Sequence, residues 1–331
     1  MDKKINFITI ISLIIIFIGN FIFPKWLTFL FTISLTKALV VLGIVLLMRV
    51  GLVSFGQGLF YCIGGYVAGM CEKFFGINDF FLILIIGIFI SLVISIILGI
   101  LLCNYRDIFF AMFTLAFSMI LYGIIVKTEV LGSTDGFNVN LPSYFSINLS
   151  FQTGNILILL LIILITYFVI FFTHKIFFSE FGYTSLDKIF FSEFGYTSLA
   201  TKENEIRVEY LGVSPKLIIF INYLIAAILS TIGGTLTAFI SGHVDPNMAY
   251  WTTSGEFVFV ALLGGTMHVV APFIASIIFE FIHTYAYNIS PYTWHIILGS
   301  ILLIIIIFLP EGLLSIRKFL KKEDKSYGSN S

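Results

Sequence analysis

The sequence predicts an all-α, polytopic integral membrane protein with about 8–10 transmembrane helices. Composition is the first reason: 59% of the 331 residues are hydrophobic and 11% charged, against about 45–50% and about 25% in soluble domains. The second reason is that the apolar residues gather into runs long enough to cross hydrocarbon. A spanning helix needs roughly 20 such residues, because each adds about 1.5 Å across a core of about 30 Å. The third is where basic residues fall between those runs. Eighteen Lys and Arg balance eighteen Asp and Glu, which leaves no large basic face for a nucleic-acid backbone. Nucleic acid is therefore not an expected partner, and a lipid bilayer is.

Read along the chain, candidate spans cover residues 6–23, 26–48, 50–70, 80–103, 108–127, 156–172, 217–240, 257–267, 269–287 and 294–309, the two around Phe257 and Val269 being the least regular. The first follows Lys3 and Lys4 and looks like a signal peptide, but no convincing small-residue cleavage site precedes Pro24. It is expected to stay in the protein as a span. Short loops rich in Lys and Arg remain on the cytoplasmic side. Residues 174–216 carry Lys175, Lys188, Lys202, Arg207 and Lys216, and the tail at 317–331 carries Arg317, Lys318, Lys321, Lys322 and Lys325. Both are expected inside, while 128–150 and 242–253, which hold no Lys or Arg, are expected outside. The parity closes with both termini cytoplasmic, in a bacterial inner membrane.

Lys37 strains this scheme, since it falls midway along the second run, where a charge costs about 2.5–3.5 kcal/mol on insertion scales. The preferred reading starts the span nearer Leu35 and makes Lys37 interfacial; the other gives it a wet or paired interior. The third run, GLVSFGQGLFYCIGGYVAG at 51–69, is rich in glycine, which weakens a helix but lets backbones approach closely or break beside a cavity. It reads either as a tightly packed central helix or as a broken helix lining a path, with Ser54 and Gln57 as its polar groups. Cys62, Cys71 and Cys103 stand alone in apolar stretches and read as small packing residues.

That glycine-rich block, together with YRDIFFAMFTLAFSMILYGI at 105–124 and LGSTDGF at 131–137, is similar to the permeases of branched-chain amino acid ABC importers. Three further blocks continue the resemblance in order: ATKENEIRVEYLGVSPKL at 200–217, SGEFVFVALLGGTMHVVAP at 254–272, and LPEGLL at 309–314 before the basic tail. The likeness covers nearly all the chain beyond Phe31, and by its length and TKENE block the chain resembles the second of two homologous membrane subunits. The resemblance implies one permease domain over 1–331, an alternating-access path shared with a homologous second permease subunit, two ABC ATPase subunits and an extracytoplasmic substrate-binding protein. Branched-chain amino acids are the implied cargo, with urea and short amides carried by close relatives.

The resemblance also makes residues 200–216 a coupling helix that docks on the ATPase, with Glu203, Asn204, Glu205, Arg207, Leu211 and Gly212 as its contact set. Local chemistry agrees: Thr201 can cap a helix whose first turn holds Glu203 and Glu205, Gly212 offers a stop, and Pro215 precedes the next span. Ile206 and Leu211 are expected to give apolar contact, and Glu203 and Arg207 sit four apart, where they can pair. The path is expected to be lined by Ser54, Gln57, Gly58, Gly64, Thr114, Gly264 and Gly265.

One feature departs from the family pattern. KIFFSEFGYTSL occurs at 175–186 and again at 188–199 around Asp187, and only the second copy abuts the coupling block. Thirteen extra helical residues would add about 20 Å and about 3.6 turns, which does not preserve an apolar face. The first copy is expected to lie along the inner interface on its phenylalanines.

Phosphate-loop, zinc-protease and nucleophile-elbow motifs are all missing, so no cofactor, metal or catalytic residue is expected and ATP hydrolysis belongs to another subunit. His174, His243, His268, His283 and His295 are scattered. His283 and His295 read as packing residues or as path-lining ones. Glu256 is expected as an interfacial anchor at the outer start of a span. Glu280 is expected deeper, with His283 on the same helical face as a hydrogen-bond partner that makes burial tolerable. A secondary transporter coupled to protons or sodium is the competing class, and it calls for several intramembrane acids near broken helices. A membrane-embedded enzyme lacks any nucleophile or metal constellation here.

Overall fold

The computed structural model describes residues 23–144, 151–178 and 193–289, with isolated positions between 293 and 307. Residues 1–22, 179–192 and 308–331 lie outside the described residues, and with them nearly all of the expected first span, most of the duplication and the tail. The expected last span is described only at isolated positions.

Ten helices account for most of the described chain. They are α1 (Lys25–Arg49), α2 (Gln57–Phe75), α3 (Phe80–Leu102), α4 (Asp107–Lys127), α5 (Phe151–Thr173), α6 (Glu193–Glu203), α7 (Glu205–Tyr210), α8 (Pro215–Ser241), α9 (Trp251–Gly264) and α10 (Ala271–Ile289). Their ends follow local chemistry. Pro215 opens α8 at its first turn, and left-handed Gly76 and Gly242, with φ of 62° and 67°, close α2 and α8. Among the described residues, five helices, Lys25–Arg49, Phe80–Leu102, Asp107–Lys127, Ile156–Ile176 and Pro215–Ser241, are long and apolar enough to cross a membrane.

Two elements differ from expectation. The run at 50–70 does not form one helix: residues 51–56 are non-helical and α2 starts at Gln57. The run at 257–267 is instead α9, Trp251–Gly264, whose 14 residues rise only about 21 Å. Hydropathy cannot separate these cases, because non-helical backbone buried among helices carries apolar side chains just as a span does.

The core forms around α1 and α8. Helix α1 is buried almost continuously from Leu35 to Leu47, and α8 packs against α1, α2 and α3. Small residues let these backbones meet, since helix association in lipid rests on close packing. Methyl groups built at Gly234, Gly64 and Gly233 would lie 1.9 Å from the Tyr61 carbonyl oxygen, 2.2 Å from that of Thr231 and 2.7 Å from that of Thr36. We therefore expect Gly234→Ala to cost about 1–3 kcal/mol through forced separation of α2 and α8. Thermal unfolding of the detergent-purified protein checks it, and an unchanged midpoint refutes the contact. Helix α3 meets α8 through Gly87, Ser91, Ser95 and Gly99, one every four residues, all buried. Its other faces are apolar and exposed, as Ile85, Phe89 and Ile97 show, which suits contact with lipid.

On the side predicted to be outside, short connections knit together. Phe137–Asn138 pairs antiparallel with His243–Val244. The Glu72 carboxylate accepts from the Asn140 backbone N–H at 2.9 Å and from its side-chain amide, and the Lys73 ammonium lies 4.3 Å from the centre of the Phe137 ring. Cys62 and Cys71 are buried and all three cysteines are free, as expected of packing residues.

Candidate translocation centre and docking helix

Two stretches inside the bundle depart from α-helix. Residues 51–56 leave α1 through Gly51, whose φ is 91°, and a single 3₁₀ turn, Pro246–Ala249, leads into α9. Non-helical backbone at membrane depth is tolerated only where protein satisfies its polar groups. Helix α4 serves both stretches from one face: Thr114 Oγ1 accepts from the Phe55 N–H at 3.2 Å, and the Ser118 hydroxyl donates to the Ala249 carbonyl at 2.7 Å. Within the first stretch, the Gly56 N–H donates to Ser54 Oγ at 3.2 Å.

Gln57 stands where these pieces converge. It is fully buried, and its Oε1 accepts from the Ser230 hydroxyl of α8 at 2.6 Å. A methyl group on Gly58 would lie 2.3 Å from Ser254 Oγ and 3.1 Å from the Met248 carbonyl oxygen, so α2 and α9 meet backbone to side chain. Gln57 Nε2 and Ser254 Oγ are buried without a hydrogen-bond partner. The result is a closed, tightly packed polar centre with two unspent hydrogen-bonding atoms.

The structure thus unites Ser54, Gln57, Gly58 and Thr114 of the expected path residues. Gly64 lies about two turns up α2 and packs on α8, where its carbonyl accepts from Thr235 Oγ1 at 3.0 Å. Gly264 and Gly265 end α9, about 15 Å along its axis from Ser254. There Gly265 takes a φ of 79° and the neighbouring Thr266 carbonyl accepts from Arg49 at 3.3 Å. Ser118, Ser230 and Ser254 complete the centre and were not singled out in the sequence. Their only signal there was a hydroxyl in an apolar run, four residues after Thr114 in the case of Ser118.

The charged residues are arranged differently from expectation. Lys37 is not interfacial. It lies midway along α1, and its Nζ is 2.9 Å from Glu280 Oε2 of α10, with the two side chains 22% and 11% exposed. This is the paired interior of the second reading. The ion-pair partner of Glu280 is thus Lys37, and the His283 ring lies between Phe279 and Tyr287. Glu256 is half-buried in α9 within electrostatic reach of Lys37, not an outer anchor.

The coupling block is two helices separated by Asn204. Thr201 does not cap: it is buried inside α6 and donates to the Thr197 carbonyl at 2.7 Å. Asn204 caps α7, its side-chain oxygen accepting from the Arg207 N–H at 3.0 Å. Glu203 ends α6 and Arg207 sits in α7, and the break keeps them from pairing. Glu205 instead pairs with Arg106, whose Nε is 2.5 Å from its Oε1. Val208 anchors α7 at 2% exposure, while Ile206, Tyr210 and Leu211 are 64%, 87% and 79% exposed. Gly212, with a φ of 83° and open space around it, ends the element.

In comparisons with known proteins, the family described as branched-chain amino acid transport system / permease component matches residues 26–184 and 188–307. The two matched segments meet inside the duplication. The high-affinity branched-chain amino acid transport system permease protein LivM of Salmonella typhimurium strain LT2 is 23% identical over 309 residues, 85% of this chain and 68% of that protein. The protein of the same name from Escherichia coli strain K12 is 24% identical over the same length and shares. No solved structure matches the chain. With the family match running from α1 through α10, this multi-pass, all-α membrane protein belongs to the branched-chain amino acid transport system permease component family.

Proposed function

We propose that this chain forms, with a homologous second permease subunit, the translocation path of an ATP-driven importer for branched-chain amino acids. An extracytoplasmic binding protein delivers the solute and two ABC ATPases drive alternating access. Both termini and the 193–216 segment face the cytoplasm of a bacterial inner membrane. The observation that carries this reading is α7, a short capped helix between Lys202 and Lys216 that carries Arg207, with Val208 anchored and Ile206, Tyr210 and the following Leu211 exposed. Exposed apolar side chains on an otherwise charged element suit a cleft on a soluble partner. The polar centre around Gln57 is the closed point of the path in this reading. Its groups are uncharged, which suits passage of a solute already selected elsewhere.

The ion-coupled alternative is the weaker one, because Glu280 is occupied by Lys37. Purification with native companions tests the choice: an ATP-hydrolysing subunit is expected to come along, and uptake is expected to follow ATP and survive an ionophore. Absence of that subunit, with uptake that ignores ATP, overturns the proposal. Deletion of residues 175–187 removes one copy of the duplication and is expected to leave transport within about two-fold of wild type. Loss of transport by an inserted, normally abundant deletion protein shows that the extra copy is needed.

A further inference from the structure

We propose that α4 links the docking helix to the polar centre, and that Arg106 is the positioning residue that pins the two together. This rests on the importer reading above. Helix α7 holds the bundle through Val208 and through its chain neighbours α6 and α8; its lateral bond to α3 and α4 is Arg106–Glu205.

An exposed ion pair contributes little by itself, about 0–1 kcal/mol, but this guanidinium is not free to swing. Its Nη1 also donates to the carbonyls of Cys103 at 2.6 Å and Tyr105 at 2.9 Å, at the end of α3. Three acceptors hold the planar fork in one orientation. The next residue, Asp107, starts α4 with a left-handed φ of 48°, a conformation that aspartate tolerates better than most non-glycine residues and that here turns the chain sharply from α3 into α4. The corner is therefore stiff, and displacement of Glu205 is passed to the start of α4.

From that corner α4 reaches the centre directly. Thr114 and Ser118 lie about 10 Å and about 16 Å along its axis from Asp107. They hold the Phe55 amide of the non-helical stretch and the Ala249 carbonyl of the 3₁₀ turn. The rival route runs through α8, which follows α7 in the chain and carries Ser230. Burial decides between them. In α8, 17 of 27 residues are buried against the bundle, whereas α4 buries four of its 21 and leaves the rest half-buried or exposed. The loosely held helix is the one that can tilt, and its buried stripe is the one bonded to both breaks. Helix α8 is the frame against which it moves.

The test uses the complete complex in vesicles, with Arg106→Glu, Glu205→Arg and the exchanged double variant, read as solute moved per ATP hydrolysed. Each single variant is expected to lower that ratio about five-fold with assembly unchanged, and the exchange to recover at least about half of the loss. Arg106→Lys keeps the charge without the fork and is expected to fall between. Thr114→Val and Ser118→Ala, which leave the ion pair intact, are expected to lower the same ratio. Single variants with the wild-type ratio, or an exchange no better than the singles, overturn the role of Arg106. Hydroxyl variants with the wild-type ratio overturn that of α4. A wild-type complex that moves solute without ATP removes the importer reading itself, a separate outcome.

Discussion

Glu280→Leu alone is expected to destabilise the protein by about 3–5 kcal/mol, because it leaves the Lys37 ammonium without its partner in the middle of α1. Lys37 sits among the most buried residues of the chain, with Ala38 and Leu39 at 0% exposure. Lys37→Met is expected to be comparably costly, since it strands Glu280 and leaves half-buried Glu256 without a nearby cation. The double variant Lys37→Met, Glu280→Leu is expected to regain part of the loss, because an apolar pair of similar volume replaces two desolvated charges at little net cost while Glu256 is still left without its cation. Thermal unfolding in detergent and membrane abundance measure all three. A Glu280→Leu protein as stable as wild type contradicts a buried pair. A double variant that is stable yet fails to transport shows that the charges serve movement rather than the fold.

The second large effect is expected from Glu203→Ala with Gly212→Val. In the reconstituted complex it should reduce substrate-stimulated ATP hydrolysis at least about ten-fold, the scale of a lost interface anchor. Gly212 has open space around it, so the substitution acts through the backbone. A β-branched residue at a φ of 83° is strained by about 1–2 kcal/mol and shifts the chain to another conformation. That re-aims α7 relative to α8 and carries Ile206, Tyr210 and Leu211 away from where a partner meets them. Glu203 is exposed just before the Asn204 cap of α7. Because both positions are exposed and outside the core, abundance is expected to stay within about two-fold. Undiminished stimulation refutes the docking role of this element.

The sequence made the long apolar spans legible, since α1, α3, α4, α5 and α8 each exceed what hydrocarbon requires and a mid-span charge interrupts α1 alone, at Lys37. Stretch 51–56 was legible only as one of two readings: its glycines allowed a broken helix, but Leu52, Val53 and Phe55 equally read as a span, and tertiary partners such as Thr114 decide for the break. The cap was misassigned for a related reason. Thr201 and Asn204 are both good caps, and burial of Thr201 in α6 decides between them. Lys37 and Glu280 lie 243 positions apart, a separation at which one sequence carries no pairing signal, so the interfacial reading prevailed. Within the centre, Gln57, Ser54 and Thr114 stood out as polar residues in apolar company. Ser230 and Ser254 became recognisable only when α8 and α9 were placed against α2.

The stripe by which α3 touches α8 has a mechanical corollary. Gly87, Ser91, Ser95 and Gly99 recur at a step of about 6 Å along the axis, and for most of that length no bulky group interlocks across the seam. Sliding by one step brings like against like, Ser91 taking the place of Ser95, so neighbouring alignments are nearly degenerate in packing. A seam of that kind resists separation of the two rods more than lengthwise travel, and aromatic rings key it at both ends: Phe80 against Phe239, 5.6 Å between ring centres, and Phe220 with Tyr223 near Gly99.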